Sequence, residues 1–481
     1  NTLWCGSGDA NGTLDGYDGT GLYVSRDRGL NWAYRGLKAT AHISSVVVNP
    51  LDSNRVYAGG MGKAFTTDPD RGFYRSLDGG ATWTRTLYVN DSTGVSDITI
   101  NPVHPDTIFC ATWERVRRLT YRRAFGAGCG VWRSTDGGGT WSRLVNGLPP
   151  AGDNLGRIAI AVAPTRPSRI YASVTSGVSG GYVGLGMYRS DDGGQSWQQV
   201  ETGVTQRNAF GGFAWYFGRV VVSPTNADDV WVCGVSLLHS VNGGQTLSSA
   251  TSGAHVDQHA LWVDPTNTNR VYLGNDGGFY WLNGTQWQGT ANLPISQFYA
   301  GTVDAQNANR ILGGTQDNGT LMTTSGPSNY TQILGGDGFH CLVDPANSSI
   351  VLGEWQYCCD QSGVHRSTNG GSTFGITTGW ASTDRYNWNT PIARSTRNSN
   401  TLLCGSQRVY KSSDGGAAWA AVSGDLTTNP VALVNYGTIS TVAISNADSN
   451  LFLAGTDDGK VWRSQNAGGL WEDITAGLPG R

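Results

Sequence analysis

An eight-residue pattern, Ser-x-Asp-x-Gly-x-x-Trp, recurs along the chain and constrains its fold more than any other feature. It reads SRDRGLNW from Ser25, SLDGGATW from Ser76, STDGGGTW from Ser134, SDDGGQSW from Ser190 and SSDGGAAW from Ser412. SQNAGGLW from Ser464 carries Asn466 in the Asp place, and two worn copies, SVNGGQTL from Ser240 and STNGGSTF from Ser367, end in Leu247 and Phe374. The chemistry of each copy is that of a tight corner. Gly supplies the positive backbone dihedrals such a corner requires. The Asp carboxylate accepts hydrogen bonds from the turn's own amides, and Trp slides a large apolar face under the neighbouring strands. These Asp residues read as structural, not catalytic.

Upstream of most corners lies a β-rich run that stops at Pro: ISSVVVNP (43–50), VSDITINP (95–102), RIAIAVAP (157–164), RVVVSP (219–224), ALWVDP (260–265) and CLVDP (341–345). Pro and Asn after such runs stop strands and start turns. A short apolar strand follows (RVYAGG, TIFCAT, RIYASV), then a turn, a third strand such as VWRS, the corner, and a fourth strand opened by Trp. Four short antiparallel strands per repeat, at a mean step of about 49 residues, are the blades of a β-propeller. The chain is therefore predicted to be all-β with about ten blades. The first is incomplete, and the others span 43–90, 95–150, 157–205, 219–252, 260–292, 298–333, 339–378, 390–424 and 438–475. One large ring is preferred, with a seven-bladed ring plus a partial second one as the alternative.

Bulk properties narrow the partners. Charged residues are 14% of the chain and the net charge is −3, which excludes nucleic acid as a general partner. No run of 18 apolar residues is present, so no membrane span is expected. Eight Cys are too few for a disulfide scaffold. Cys5, Cys110, Cys233 and Cys404 share one place in the second strand of their repeats, which suits buried thiols for some of them. Cys110 and Cys129 flank an insertion, WERVRRLTYRR (113–123), and are expected to staple its base in an extracellular setting. The partners of Cys358 and Cys359 are left open. Asn11, Asn90, Asn283, Asn318, Asn329 and Asn347 head glycosylation sequons, which matter only in a glycosylating host. Asn1 begins inside a strand (LWCGSG), as in a mature or trimmed form. The tail EDITAGLPGR stops where a further inner strand would start, leaving an edge, so additional domains beyond Arg481 are expected.

In this topology the Pro turns and corners share one face. The turns between second and third strands, with the links between blades, share the other, where chemistry is expected. Polar residues gather there in mid-chain: His255, Asp257 and His259 in one link, Asn275 and Asp276 in GNDGGF, Gln316, Asp317 and Asn318 in GGTQDNG, and Asp337 and His340 in GGDGFH. Turn chemistry alone selects many of these types. His255, Asp257 and His259, with His340 or Asp276, supply ligand types for a divalent metal, provided the segment is extended. The favoured reading assigns no metal and no cofactor. The insertion adds Trp113, Arg117, Arg118 and Tyr121 as candidates for an acidic glycan or peptide. GEWQY (353–357) adds Trp355 beside Gln356, and FAWYF (213–217) and RYNW (385–388) add further aromatics for sugar stacking.

The corner resembles the Asp-box of sialidases, xyloglucanase-type glycoside hydrolases and sortilin-type receptor domains. The whole chain, with HVDQHALWVDP, GNDGGF, GGTQDNG and GGDGF, resembles secreted bacterial proteins of the sortilin-like or Asp-box glycosyl-hydrolase-like kind. The xyloglucanase resemblance implies that Asp276 is one catalytic carboxylate, since GNDGGF is similar to the G-D-x-G-G-F element. Asp317, Asp337 or Asp457 is then the second, at the separation inverting hydrolysis needs, about 6.5–9.5 Å. Around Asp457 the sequence departs from the family's acid element, with Gly455 in place of Arg. No sialidase F-R-I-P element is present. The expectation is a secreted propeller binding an extended polymer, glycan or polypeptide, on its loop face. The alternatives are an inverting glycoside hydrolase and a structural module of a larger cell-surface protein.

Overall fold

The β-branched runs form strands, and each Pro-bearing stop turns the chain back on itself. In the computed structural model the described residues are all except 12, 14, 15, 119–121, 153, 178–182, 291, 292, 294, 327, 328, 429–436, 477 and 479–481, together with the side chain of 122. Tyr121 and Arg481 thus lie outside the described residues. Among those described, nine four-stranded antiparallel meanders follow one three-stranded sheet made of Leu3–Gly6, Leu22–Ser25 and Ala33–Tyr34. Strand order equals chain order in every sheet, as in the blades of a propeller. Helix is confined to short turns, and among the described residues no helix is long and apolar enough to cross a membrane.

Two compact units divide the chain, Asn1–Ala291 and Asn292–Arg481. The first holds the first six sheets and the second the remaining four.

The corner at Ser134 shows how the repeat closes. Ser134 Oγ donates to Asp136 Oδ1 at 2.6 Å and accepts the Gly138 amide at 2.9 Å. Asp136 accepts the Gly139 and Thr140 amides and the Thr140 hydroxyl. Gly137 and Gly138 sit at φ 68° and 77°, where a Cβ is unfavourable. In the equivalent corner at Ser190, the Ser196 hydroxyl and amide hold the Asp192 carboxyl down to about 2, so it serves as a fixed acceptor. Three of the corner Trp residues tie sheets together, while Trp32 and Trp419 bond within their own corners. Trp83 Nε1 donates to the Arg35 carbonyl at 2.6 Å, Trp141 to Thr86 Oγ1 at 3.3 Å and Trp471 to the Val422 carbonyl at 2.8 Å, each reaching back to the preceding sheet.

All eight Cys are free thiols, which corrects the expected Cys110–Cys129 staple. Cys110 pairs across the sheet with Trp132, and Thr112 with Gly130. That register places Cys129 opposite Trp113, on the other sheet face from Cys110. The two thiols belong to different cores, Cys110 with Phe73 and Val95, Cys129 with Trp113 and Leu155.

Candidate functional site

The first strand of most sheets is bulged near its start. Register shifts fall between Ile43 and Ser45, Val95 and Asp97, and Gln258 and Ala260. A bulge re-aims the extra side chain, here Ser44, Ser96 and His259. All three line a cavity of about 170 Å³ in the six-sheet unit, framed by the first strands of the second, third, fourth and sixth sheets and by the segment Tyr216–Arg219 that leads into the fifth. Asn11, Asp97, Arg157, Tyr216, Phe217, Arg219 and Gln258 complete its polar and aromatic wall.

His259 is the best-positioned residue of this wall. Its Nε2 lies 2.7 Å from Asp276 Oδ1. Its ring packs edge-on against Tyr216 and tilted against Phe217, at centroid distances of 5.2 and 5.4 Å. Asp276 is thus paired with an imidazole, an arrangement that can accept or relay a proton. Asn275 closes its own turn, donating to the His255 carbonyl and Gln258 Oε1 and accepting the Gly277 amide. His255 Nδ1 faces the Val256 carbonyl.

Asp257 adopts φ 67°. This left-handed residue breaks the extended alternation that the metal reading of His255, Asp257 and His259 requires. Among the described residues, no group of three or more His, Cys, Asp or Glu is arranged to hold a metal.

Sequence reasoning missed Asp97, Arg157 and Arg219, and reached Tyr216 only within FAWYF, as one of several stacking aromatics. Burial pushes the Asp97 carboxyl above the usual range, against the opposing pull of Arg219, the Ile160 amide and Arg157. Burial also brings Arg157 down to about 10. Arg157 donates to Asn11 Oδ1 at 2.7 Å and to the Tyr216 carbonyl, so the Asn11 carboxamide is already engaged. A signal was available. Counted back from Pro50, Pro102, Pro164, Pro224 and Pro265, the cavity residues of the first strands all fall five to seven positions upstream.

At the start of the insertion, Trp113 departs from its reading as a ligand aromatic. Trp113 is fully buried (0% exposed), donates to the Ala124 carbonyl and carries Arg115 and Arg157 against its ring. It is a core residue and offers no face to a sugar. Arg117 and Arg118 are on or beside the two-stranded ribbon of Val116–Arg117 with Arg122–Arg123. Arg118 donates to the Phe65 carbonyl, and Arg117 approaches the Trp215 ring.

In the four-sheet unit the structure joins Asp317, Asp337 and Gln356. The Asp317 amide donates to Asp337 Oδ1, and the Asp337 amide to Gln356 Oε1, both at 2.7 Å. Asp317 takes φ 62° at the tip of its turn. Gln316 bonds through its amide to Gln297, and Asn318 through its side chain to Gln316. Bulges recur here and enclose Tyr299 and, in the next sheet, Phe339 and His340. Tyr299 stacks on Phe339 at 4.5 Å, and Trp388, 42% exposed, packs edge-on against Phe339 and Tyr357. Burial lowers the His340 imidazole below its usual range. Trp355 is half-buried, donating to Asp360 and packing edge-on to His365. Asp457 lies apart in the tenth sheet, where its carboxylate ties down the Gly437 and Thr438 amides and the Thr438 hydroxyl.

The sheets, their order and their inward-facing bulges define a β-propeller. Comparison with protein-family models finds no match. The Niastella koreensis GH74 enzyme has the same fold, at TM-score 0.55 and 16% identity over 98% of this chain and 76% of that one. An ancestral GH74 enzyme aligns at TM-score 0.49 and 14% identity over the same shares. In sequence, the chain is similar to a probable oligoxyloglucan-reducing end-specific xyloglucanase of Neosartorya fischeri, 25% identical over 163 residues. That match spans 32% of this chain and 17% of the relative's length.

Proposed function

We propose that the chain is an extracellular, glycoside-hydrolase-like propeller that holds an extended polysaccharide against the turns between second and third strands. The observation that carries this reading is the aromatic patch of the four-sheet unit. Trp388 stands exposed over Phe339 and Tyr357, beside the Asp317–Asp337–Gln356 chain. Aromatic faces bury the apolar side of a pyranose, while planar carboxylates and amides bond its hydroxyls. A polypeptide ligand has no comparable need for flat rings next to hydroxyl-bonding groups. The sequence likeness to a xyloglucanase makes xyloglucan oligosaccharides the first ligands to try. Titration calorimetry should detect binding, and Trp388→Ala should weaken it about 2- to 10-fold. Unchanged affinity in a folded Trp388→Ala protein would remove this patch from the site.

Hydrolysis is the second reading, favoured by the Asp276–His259 pair on a cavity that also presents Asp97. The same oligosaccharides assayed for new reducing ends decide it. Ends released by the native chain and not by Asp276→Asn support hydrolysis, and silence from both leaves binding alone.

A further inference from the structure

We infer that the cavity of the six-sheet unit is a binding site for a carboxylate-bearing sugar, a uronic acid, with Arg219 as its anchor. This takes from the polysaccharide reading only that the carrier of the carboxylate is a sugar. The argument begins with an unused cation. Among the described residues the Arg219 guanidinium makes no hydrogen bond and no ion pair, although a guanidinium carries five N–H donors in a rigid fork. Among the described residues, the acids nearby are committed elsewhere. Asp97 accepts the Ile98 and Ile160 amides, one at each oxygen, and senses Arg219 only as a charge in the same cavity. Asp9 accepts the Asn11 and Thr13 amides and the Thr13 hydroxyl. Asp276 is held by His259.

Arg157, by contrast, is spent on Asn11 and the Tyr216 carbonyl. It contributes a second positive charge without offering the open fork that Arg219 does. A planar carboxylate matches that fork in two parallel hydrogen bonds, the strong form of the interaction. In this partly enclosed space such bonds gain over their strength in open water.

The rest of the wall favours a sugar as the carrier of that carboxylate. Bulges bring Ser96 and the His259 ring to the wall of the same space, and Tyr216 and Phe217 supply apolar ring faces beside them. A volume of about 170 Å³ is below the usual range for drug-sized ligands, roughly 300–1,000 Å³, and suits one monosaccharide ring.

The test uses the full chain and three soluble probes, D-glucuronate, D-glucose and the methyl ester of glucuronic acid, read by ligand-observed NMR and calorimetry. Glucuronate should bind, while glucose and the uncharged ester should not. Arg219→Gln should lower glucuronate affinity about 10- to 100-fold, with Arg270→Gln, an exposed arginine away from the cavity, as an unaffected control. Equal binding of the ester and the acid overturns the proposal in the native chain, whatever Arg219→Gln does to folding. So does glucuronate affinity that survives Arg219→Gln. An acetylated dipeptide with a free C-terminus that binds as tightly as glucuronate overturns the assignment to a sugar. Because Trp388 lies in the other unit, loss of xyloglucan binding with retained glucuronate binding would fell the polysaccharide reading and leave this one standing.

Discussion

Replacing Arg310 with Ala should destabilise the four-sheet unit by about 3–5 kcal/mol, the usual result of stripping one partner from a buried ion pair. Arg310 is 8% exposed and Asp304 is 2% exposed. The guanidinium donates to Asp304 Oδ2 at 2.9 Å, to the Ser348 carbonyl at 2.7 Å and to the Gly370 carbonyl at 2.7 Å. It thereby ties the seventh sheet to the eighth. Burial pushes the Asp304 carboxyl up, but the Gln306 amide, the Ser348 hydroxyl and Arg310 outweigh it and leave the group below the usual range. The Ala variant loses all three Arg bonds and strands a desolvated carboxylate. Urea unfolding followed by Trp fluorescence reads the loss as a lower midpoint at unchanged slope. Combining Arg310→Met with Asp304→Asn removes both charges together and should recover part of the loss. A double variant no more stable than Arg310→Ala alone would show that the carbonyl bonds, not the ion pair, hold the sheets.

The fold was legible because each repeat carries its own boundary markers. The corner at Ser134 needs Gly at Gly137 and Gly138 and a short acceptor at Asp136, and these appear in the sequence in register. The Pro stops mark where first strands end. The wall of the cavity was harder to see, since Arg157 and Arg219 open β-rich runs and read there as ordinary strand flanks. Bulges bring Ser44, Ser96 and His259 to the same wall, and a bulge has no residue signature of its own. Two misreadings share a cause. In sequence Trp113 reads as a ligand aromatic, and Cys110 with Cys129 as a staple, because spacing along the chain does not reveal which face of a sheet a side chain occupies. The least legible segment is Tyr357–Gln361. Five successive residues without Gly take positive φ between 52° and 68°, a conformation that L residues avoid by about 1–2 kcal/mol each. Cys358 and Tyr357 pack there against the core of Leu352, Tyr386 and Leu402.

Stability of the four-sheet unit should fall as pH rises above about 4.3, and Glu354→Gln should abolish that component of the fall. Glu354 is completely buried (0% exposed) in the second strand of the eighth sheet. Its Oε1 accepts the His340 amide at 3.1 Å, and its Oε2 has no hydrogen-bond partner among the described residues. Burial therefore pushes its carboxyl well above the ordinary value. The native state keeps the proton while the unfolded chain releases it, so between the two pKa values the native state binds more protons. Stability then drops by up to about 1.4 kcal/mol per pH unit. The contribution is complete below the unfolded pKa and lost as pH climbs through the folded one. His340 acts in the opposite sense: burial lowers its imidazole, so it favours the native state above its unfolded pKa of about 6.5 and loses that contribution as pH falls. The nearby Cys358 and Cys359 thiols are raised by burial and stay protonated across this range. Subtracting the urea-midpoint profile of Glu354→Gln from that of the native chain, from pH 4 to pH 8, cancels His340 and isolates the glutamate. The difference should widen steadily with pH. Parallel profiles would mean that Glu354 ionises at its ordinary pKa, and that water or a local opening reaches Oε2 in solution.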